Sequence, residues 1–271
     1  MRPLDLHEGF RDPWYAATGD LLGFLEAADR LPGIRAVQRA MRRALDPRPG
    51  MRLLDAGCGV GLETMRLAAD HTETLVTGLD RNAELLAVAQ RRADPAMANL
   101  RWLEADLAAL DLPEASFDAI RTDRVLMYLP DGNLQQALDG LIRALRPDGR
   151  LALFELDYGA TILALGAAAP TVVDRAVDAL RNSLPQPLAG RQLPQLLRAR
   201  GLRDVTAEPF SIAVSETVWR RIVHDTIMAA ASPRPDPDLA AWLREQADAA
   251  ARGEFVAAFT GVLTSATKPH A

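Results

Sequence analysis

The sequence predicts a doubly wound α/β fold: a mostly parallel sheet of seven strands with helices on both faces, covered by extra helices at the N-terminus and in two insertions. Three observations carry this. Short apolar runs alternate with amphipathic helical stretches through the first two thirds of the chain. The first run, Leu53-Leu54, turns through a glycine loop directly into a helical pattern, and the second and third runs each end in an acid, Asp80 and Asp106.

Each element has its own signal. Residues 21–45 read as two helical pieces broken at Pro32-Gly33, with Leu21, Leu22, Leu25 and Ala28 on one apolar face and Ile34, Val37, Met41 and Leu45 on another. Trp14 and Tyr15, just ahead, are candidates either to close over a ligand or to fill a core. Pro47-Arg48-Pro49-Gly50 launches the first strand. After the glycine loop, Leu62, Met65, Leu67 and Ala68 mark a helix, 74–79 a second strand, and Asn82 caps a helix over 84–92. Residues 100–106 form a third strand and 117–120 a fourth. An amphipathic helix over 134–145 closes at Arg146-Pro147-Asp148-Gly149 before a fifth strand, 150–156.

Residues 159–189 are Ala-rich and read as a helical insertion broken at Leu184-Pro185-Gln186-Pro187. A core helix over 190–200, ended by Gly201, and a sixth strand over 204–214 follow. Two helices, 216–231 and 239–252, flank a proline-rich linker, and 255–267 is the last strand. The division is an N-terminal cap 1–49, a binding core 50–158, an insertion 159–189, core again at 190–214, a second cap 215–252, and last strand and tail 253–271.

The chemistry centres on Asp55-Ala56-Gly57-Cys58-Gly59-Val60-Gly61. Glycines at alternate positions permit positive φ and let a ligand approach main-chain N–H groups. A dinucleotide fingerprint spaces its glycines G-x-G-x-x-G, and Asp55 would repel a pyrophosphate but suits a ligand carrying an ammonium and a sulfonium. The heptapeptide resembles the first motif of the class I S-adenosylmethionine-dependent methyltransferases, matched by Asp55, Gly57, Gly59 and Gly61. The resemblance covers residues 51–156 and implies S-adenosylmethionine as cofactor and a Rossmann-like sheet whose last strand is antiparallel. It implies that Asp80, beside Arg81, takes the ribose hydroxyls, for which a carboxylate has two acceptor oxygens. It also implies that Asp106 and the Leu107 N–H meet the adenine, and that Arg121 and Thr122 line the methionine end. Arg124 is either a substrate contact or a surface residue, and Asp148 stands where the family usually carries glycine.

Composition narrows the function. A net charge of -5 offers no basic face for nucleic acid. Cys58 is the single cysteine, so neither an intrachain disulfide nor a cysteine-based zinc site is possible, and its place between glycines reads as packing. Four scattered histidines make no metal set. The N-terminus is too polar for a signal peptide, and no stretch approaches the ~20 apolar residues of a membrane span, so a cytoplasmic monomer or homodimer is expected.

A sulfonium carries its methyl already activated, which leaves the protein to align the acceptor and exclude water. Candidate bases are Asp157, Tyr158, His7 and His224, the last beside Asp225. Tyr15, Asp157, Tyr158 and His224 are expected to converge on the sulfonium-facing mouth. The favoured function is O-, N- or C-methylation of a small hydrophobic metabolite. The alternative is a protein of this fold that binds the cofactor but catalyses another reaction, such as cyclisation, or serves as a scaffold; an NAD-dependent oxidoreductase is disfavoured by Asp55 and the glycine spacing.

Overall fold

The computed structural model describes residues 18–130, 132–230 and 236–270. The strands are β1 (Arg52–Ala56), β2 (Leu75–Asp80), β3 (Leu100–Glu104), β4 (Phe117–Asp123), β5 (Leu145–Leu163), β6 (Arg203–Ala213) and β7 (Ala257–Thr267). They form one sheet in the order β3-β2-β1-β4-β5-β7-β6. β1 to β5 pair in parallel, and β7 lies antiparallel between β5 and β6.

Strand alternation sorts the core into two layers. Leu53, Ala119 and Ala152 face one side, against Val37, Met41 and Leu67; Leu54, Ile120 and Leu153 face the other, against Leu138, Leu141, Leu193 and Leu197. The first side holds α1 (Thr18–Asp29), α2 (Pro32–Leu45) and α3 (Leu62–Asp70); the second holds α5 (Asn133–Ala144) and α7 (Ala189–Ala199). α4 (Ala83–Arg92) starts at Asn82, whose side chain accepts from the N–H groups of Glu84 and Leu85. α6 (Pro170–Asn182) opens on a proline at a position where no N–H is needed.

The insertion departs from the sequence reading. Its first residues are strand, because β5 continues to Leu163 and pairs Ile162 and Leu163 with Ala258 and Ala257 across a register shift after Asp157. Ladder bonds to β7 override the helical preference of this Ala-rich stretch. β4 likewise runs to Asp123, past the expected end at Ile120, because residues 121–123 pair with Ala152, Leu153 and Phe154. The helix expected over 216–231 is α8 (Glu216–Val218), a π-helical stretch Trp219–His224 and α9 (Asp225–Ala230), end to end; α10 (Pro237–Ala251) follows.

The N-terminal helices are tied to the sheet by charge as well as by apolar packing. Asp29 of α1 takes hydrogen bonds from Arg66 of α3 at 2.7 and 2.8 Å and lies 2.9 Å from Arg35. Arg42 of α2 reaches Glu63 at 2.7 Å and Asp70 at 2.5 Å. Glu63 is 3.8 Å from Arg121, and Arg121 contacts Asp55 and Asp123 at 3.5 and 3.1 Å. The chain of pairs ends at Arg124, 2.7 Å from Asp123. The buried members of this chain, Asp29, Asp55, Glu63 and Arg121, are tolerable in the interior because each has a counter-charge.

Candidate functional site

A cleft of about 1290 Å³, its open mouth included, lies outside the carboxyl ends of β1, β2, β3 and β4. Gly57, Gly59, Asp80, Arg81, Asn82 and Asp106 form one end of its wall, with Leu79, Leu85, Ala105 and Leu107 as an apolar bed between them. Helices α1 and α2 close over it with Leu21, Phe24, Leu25, Leu31 and Ile34. The far side is Leu156, Tyr158, Ile212, Val214, Val218 and Phe259, and the segment after β4 contributes Asp123, Arg124, Val125, Met127 and Tyr128.

The glycine loop has the predicted shape but a different use of its amides. Gly57, Gly59 and Gly61 all have positive φ. Gly57 and Gly61 are demanded by packing: a Cβ would come within 2.3 Å of Val125 Cγ2 at the first and of Trp102 Cη2 at the second. The N–H groups of Gly57 and Cys58 donate to Leu79 O at 2.7 and 2.9 Å, and that of Gly61 to Cys58 O. Gly59 N–H donates to Asp80 Oδ2 at 2.7 Å. These amides hold the loop to the end of β2 and are not left for a ligand.

Asp80 is fixed at both oxygens, since Oδ1 accepts from Asn82 N–H at 2.9 Å. Burial pushes its carboxyl up, against those two backbone bonds. Asp106 Oδ1 caps the 3₁₀ turn Leu107–Ala109 by accepting from Ala108 N–H, and Leu107, as first residue of the turn, has an N–H with no partner inside it. Two carboxylates at the ends of adjacent strands, with an apolar bed between, fit the ribose and adenine of a nucleoside.

Several expected site residues lie elsewhere. Asp55 does not reach the wall: it pairs in register with Arg121 across β1 and β4, accepts from Thr64 Oγ1 at 2.6 Å, and is buried, which pushes its carboxyl up despite Arg121. Arg121 is the centre of the ionic chain behind the loop, and Thr122 and Gly61 are packed into the interior. Asp157 is turned to Arg191, 2.5 Å from its Nε, and to Gly159 N–H, because successive side chains of β5 alternate faces and only Leu156 and Tyr158 reach the cleft. His224 pairs with Asp225 at 2.9 Å in the π-helical stretch, outside the wall. Tyr15, with Trp14 and His7, falls outside the described residues. Of the proposed acceptor-side groups, Tyr158 alone among the described residues lines the cleft, its ring 5.3 Å from that of Phe259.

Glu155 lies within β5. It is fully buried and its carboxylate accepts from three successive amides, Val125 and Leu126 at 2.9 and 2.8 Å and Met127 at 3.2 Å. It therefore fixes the segment that carries Val125, Met127 and Tyr128 into the wall. Burial pushes its carboxyl up to about 7, although all three donors favour the ionised form. Burial also raises the Cys58 thiol well above its ordinary value, which makes it a packing residue rather than a nucleophile.

A family model described as "Methyltransferase domain" matches residues 53–149, the span that holds the glycine loop, Asp80 and Asp106. The match marks residues 53–149 as similar to a class I S-adenosylmethionine-dependent methyltransferase domain. The chain is 33% identical over 206 residues to an uncharacterized 37.1 kDa protein in transposon TN4556 of Streptomyces fradiae, covering 72% of this chain and 56% of that one. It is 34% identical over 143 residues to the demethylmenaquinone methyltransferase of Thermus thermophilus, covering 53% of this chain and 61% of that one. The matches thus span little more than half the length of these relatives. Among solved structures, the [4+2]-cyclase SpnF shares the fold with a TM-score of 0.56 at 22% identity, over 87% of this chain and 81% of that one. S-adenosylmethionine is the cofactor of this family, and the acidic ends of β2 and β3 in this chain fit its adenosine.

Proposed function

We propose that this protein is a methyltransferase that transfers the methyl group of S-adenosylmethionine to a small, largely apolar metabolite. The observation that carries the reading is the division of one cleft into an acidic end at β2 and β3 and an apolar end closed by α1, α2, β6 and β7. In this reading Asp80 takes the ribose hydroxyls, with Arg81 beside it, while Asp106 and the Leu107 N–H take the edge of the adenine. The cofactor supplies a methyl already activated on sulfonium. The chain's own residues align the acceptor and keep water away.

Among the described residues no histidine lines the cleft, and Asp123 makes a poor base. Burial alone would raise its carboxyl, but the charges of Arg124 and Arg121 outweigh that and hold it below the usual range. Tyr158 and Tyr128 are the remaining groups for orienting an acceptor heteroatom. The site therefore suits an acceptor that is already nucleophilic, such as a neutral amine, a readily ionised hydroxyl or a stabilised carbanion.

The test is to incubate the protein with S-adenosylmethionine and pools of apolar metabolites, then follow S-adenosylhomocysteine and a product heavier by one methylene. Product of that mass supports the reading. Cofactor binding with conversion at unchanged mass would replace it with the second reading, a non-methylating enzyme. That reading is favoured by the absence of a histidine base among the described wall residues and by the kinship of fold with a cyclase.

A further inference from the structure

We propose that Arg124 is the carboxylate anchor of the cleft, pairing its guanidinium with an anionic oxygen pair on a bound molecule. The proposal rests on the S-adenosylmethionine reading above and names the group that holds a carboxylate within that site. Two carboxylates meet this description, the α-carboxylate of the cofactor's amino-acid part and an acid group on the acceptor.

Arg124 has φ +57, the left-handed region that side chains avoid, and among the described non-glycine residues with positive φ it is the one in the wall of the cleft. Its conformation is held on both sides: its own N–H donates to Phe154 O at 2.8 Å, and the next three amides are fixed on Glu155. A residue kept in an unfavourable conformation by so many bonds is being aimed.

Charge points the same way. Arg124 Nε donates to Asp123 Oδ1, while Asp123 Oδ2 takes a bond from Arg121 Nη2. One carboxylate thus lies between two guanidiniums; Arg121 is shared further with Asp55 and Glu63 behind the loop, which leaves Arg124 as the one that reaches the cleft. Among the described residues the two amino groups of Arg124 make no further hydrogen bond, and its side chain is 18% exposed. Elsewhere an anion could use the amides of the glycine loop, but those of Gly57, Cys58, Gly59 and Gly61 are engaged. The other arginine of the wall, Arg81, follows Asp80 at the adenosine end. A guanidinium whose inner edge is occupied and whose outer donors face a largely apolar cleft matches a carboxylate with two parallel bonds.

The experiment is calorimetric titration of wild type, Arg124→Met, Arg124→Gln and Arg124→Lys. The probes are S-adenosylhomocysteine and 5′-methylthioadenosine, which lacks the amino-acid part, followed by octanoate and octanol added to protein saturated with S-adenosylhomocysteine. If the partner is the cofactor's carboxylate, Arg124→Met and Arg124→Gln weaken S-adenosylhomocysteine tenfold or more, leave 5′-methylthioadenosine unchanged, and Arg124→Lys recovers part of the loss. If it is the acceptor's, both nucleosides bind as before, and a wild-type preference for octanoate over octanol disappears in the variants. Either result supports the anchor and names its source. Variants that bind all four probes like wild type, or that lose both nucleosides equally, overturn it. A wild type that binds neither nucleoside overturns the cofactor reading itself, a failure visible before any variant is made.

Discussion

Both oxygens of Asp80 are engaged with the chain before any ligand arrives, one on Gly59 and one on Asn82, yet each keeps a lone pair for a ribose hydroxyl. Asp80→Ala is therefore expected to weaken S-adenosylhomocysteine binding by about 1–3 kcal/mol, the range for losing charge-assisted hydrogen bonds. Calorimetry checks this, and an unchanged affinity would place the ribose elsewhere. Glu155 gives a pH-dependent prediction. Its carboxyl is raised from 4.5 to about 7 in the fold, so the folded state holds more protons than the unfolded one in that interval. Its contribution to stability is fully present below about pH 4.5 and is lost as pH rises to about 7. Glu155→Gln should flatten that part of the stability profile in chemical denaturation and lower stability by about 1–3 kcal/mol, because an amide offers one acceptor where the carboxylate served three donors. A profile of undiminished slope in the variant would assign the titration to another group.

At the level of elements, the glycine loop and β2 are packed around one indole. Trp102 of β3 lies against Gly61 and Gly78, and a Cβ at Gly78 would fall 2.6 Å from the ring. Gly78 has no positive φ, so Gly78→Ala tests packing alone; it should cost about 1–3 kcal/mol as overpacking, and Trp102→Leu should absorb much of that cost. Strict additivity in the double mutant would mean that the two sites do not touch. The strands, the Asn82 cap and the two N-terminal helices were legible because periodicity and capping are local signals. Asp55 was misplaced for a reason that periodicity does not contain: its partner Arg121 is distant in sequence and becomes its neighbour only when β1 and β4 pair. The same holds for β5, whose extension to Leu163 depends on β7, and for Asp157, whose partner Arg191 comes from α7. That Asp80 and Asp106 would stand in the cleft wall was legible because the ends of parallel strands are where such sheets open their clefts, whatever the rest of the chain does.

For the whole molecule, any ligand selective for the folded state must stabilise it. S-adenosylhomocysteine at a hundred times its dissociation constant should add ~2.7 kcal/mol, a rise in Tm of roughly 5 °C or more, and NADH should add nothing. Thermal unfolding with each ligand checks both arms. The N-terminal helices enter the same balance, because α1 and α2 meet the sheet through Asp29, Arg42 and Glu63. Glu63→Ala leaves Arg42 and Arg121 short of a counter-charge and should cost about 3–5 kcal/mol in denaturant unfolding. A loss below about 1 kcal/mol would mean that apolar packing alone seats these helices.

The glycine loop is rigid before any ligand arrives. Its amides already bond to Leu79 and Asp80, so this end of the cleft is preorganised and a ligand docking there costs little chain entropy. Amide hydrogen exchange at Gly57, Cys58 and Gly59 should then be slow in the free protein and gain little protection on ligation, while α1 and α2, which border the cleft, register the ligand's arrival.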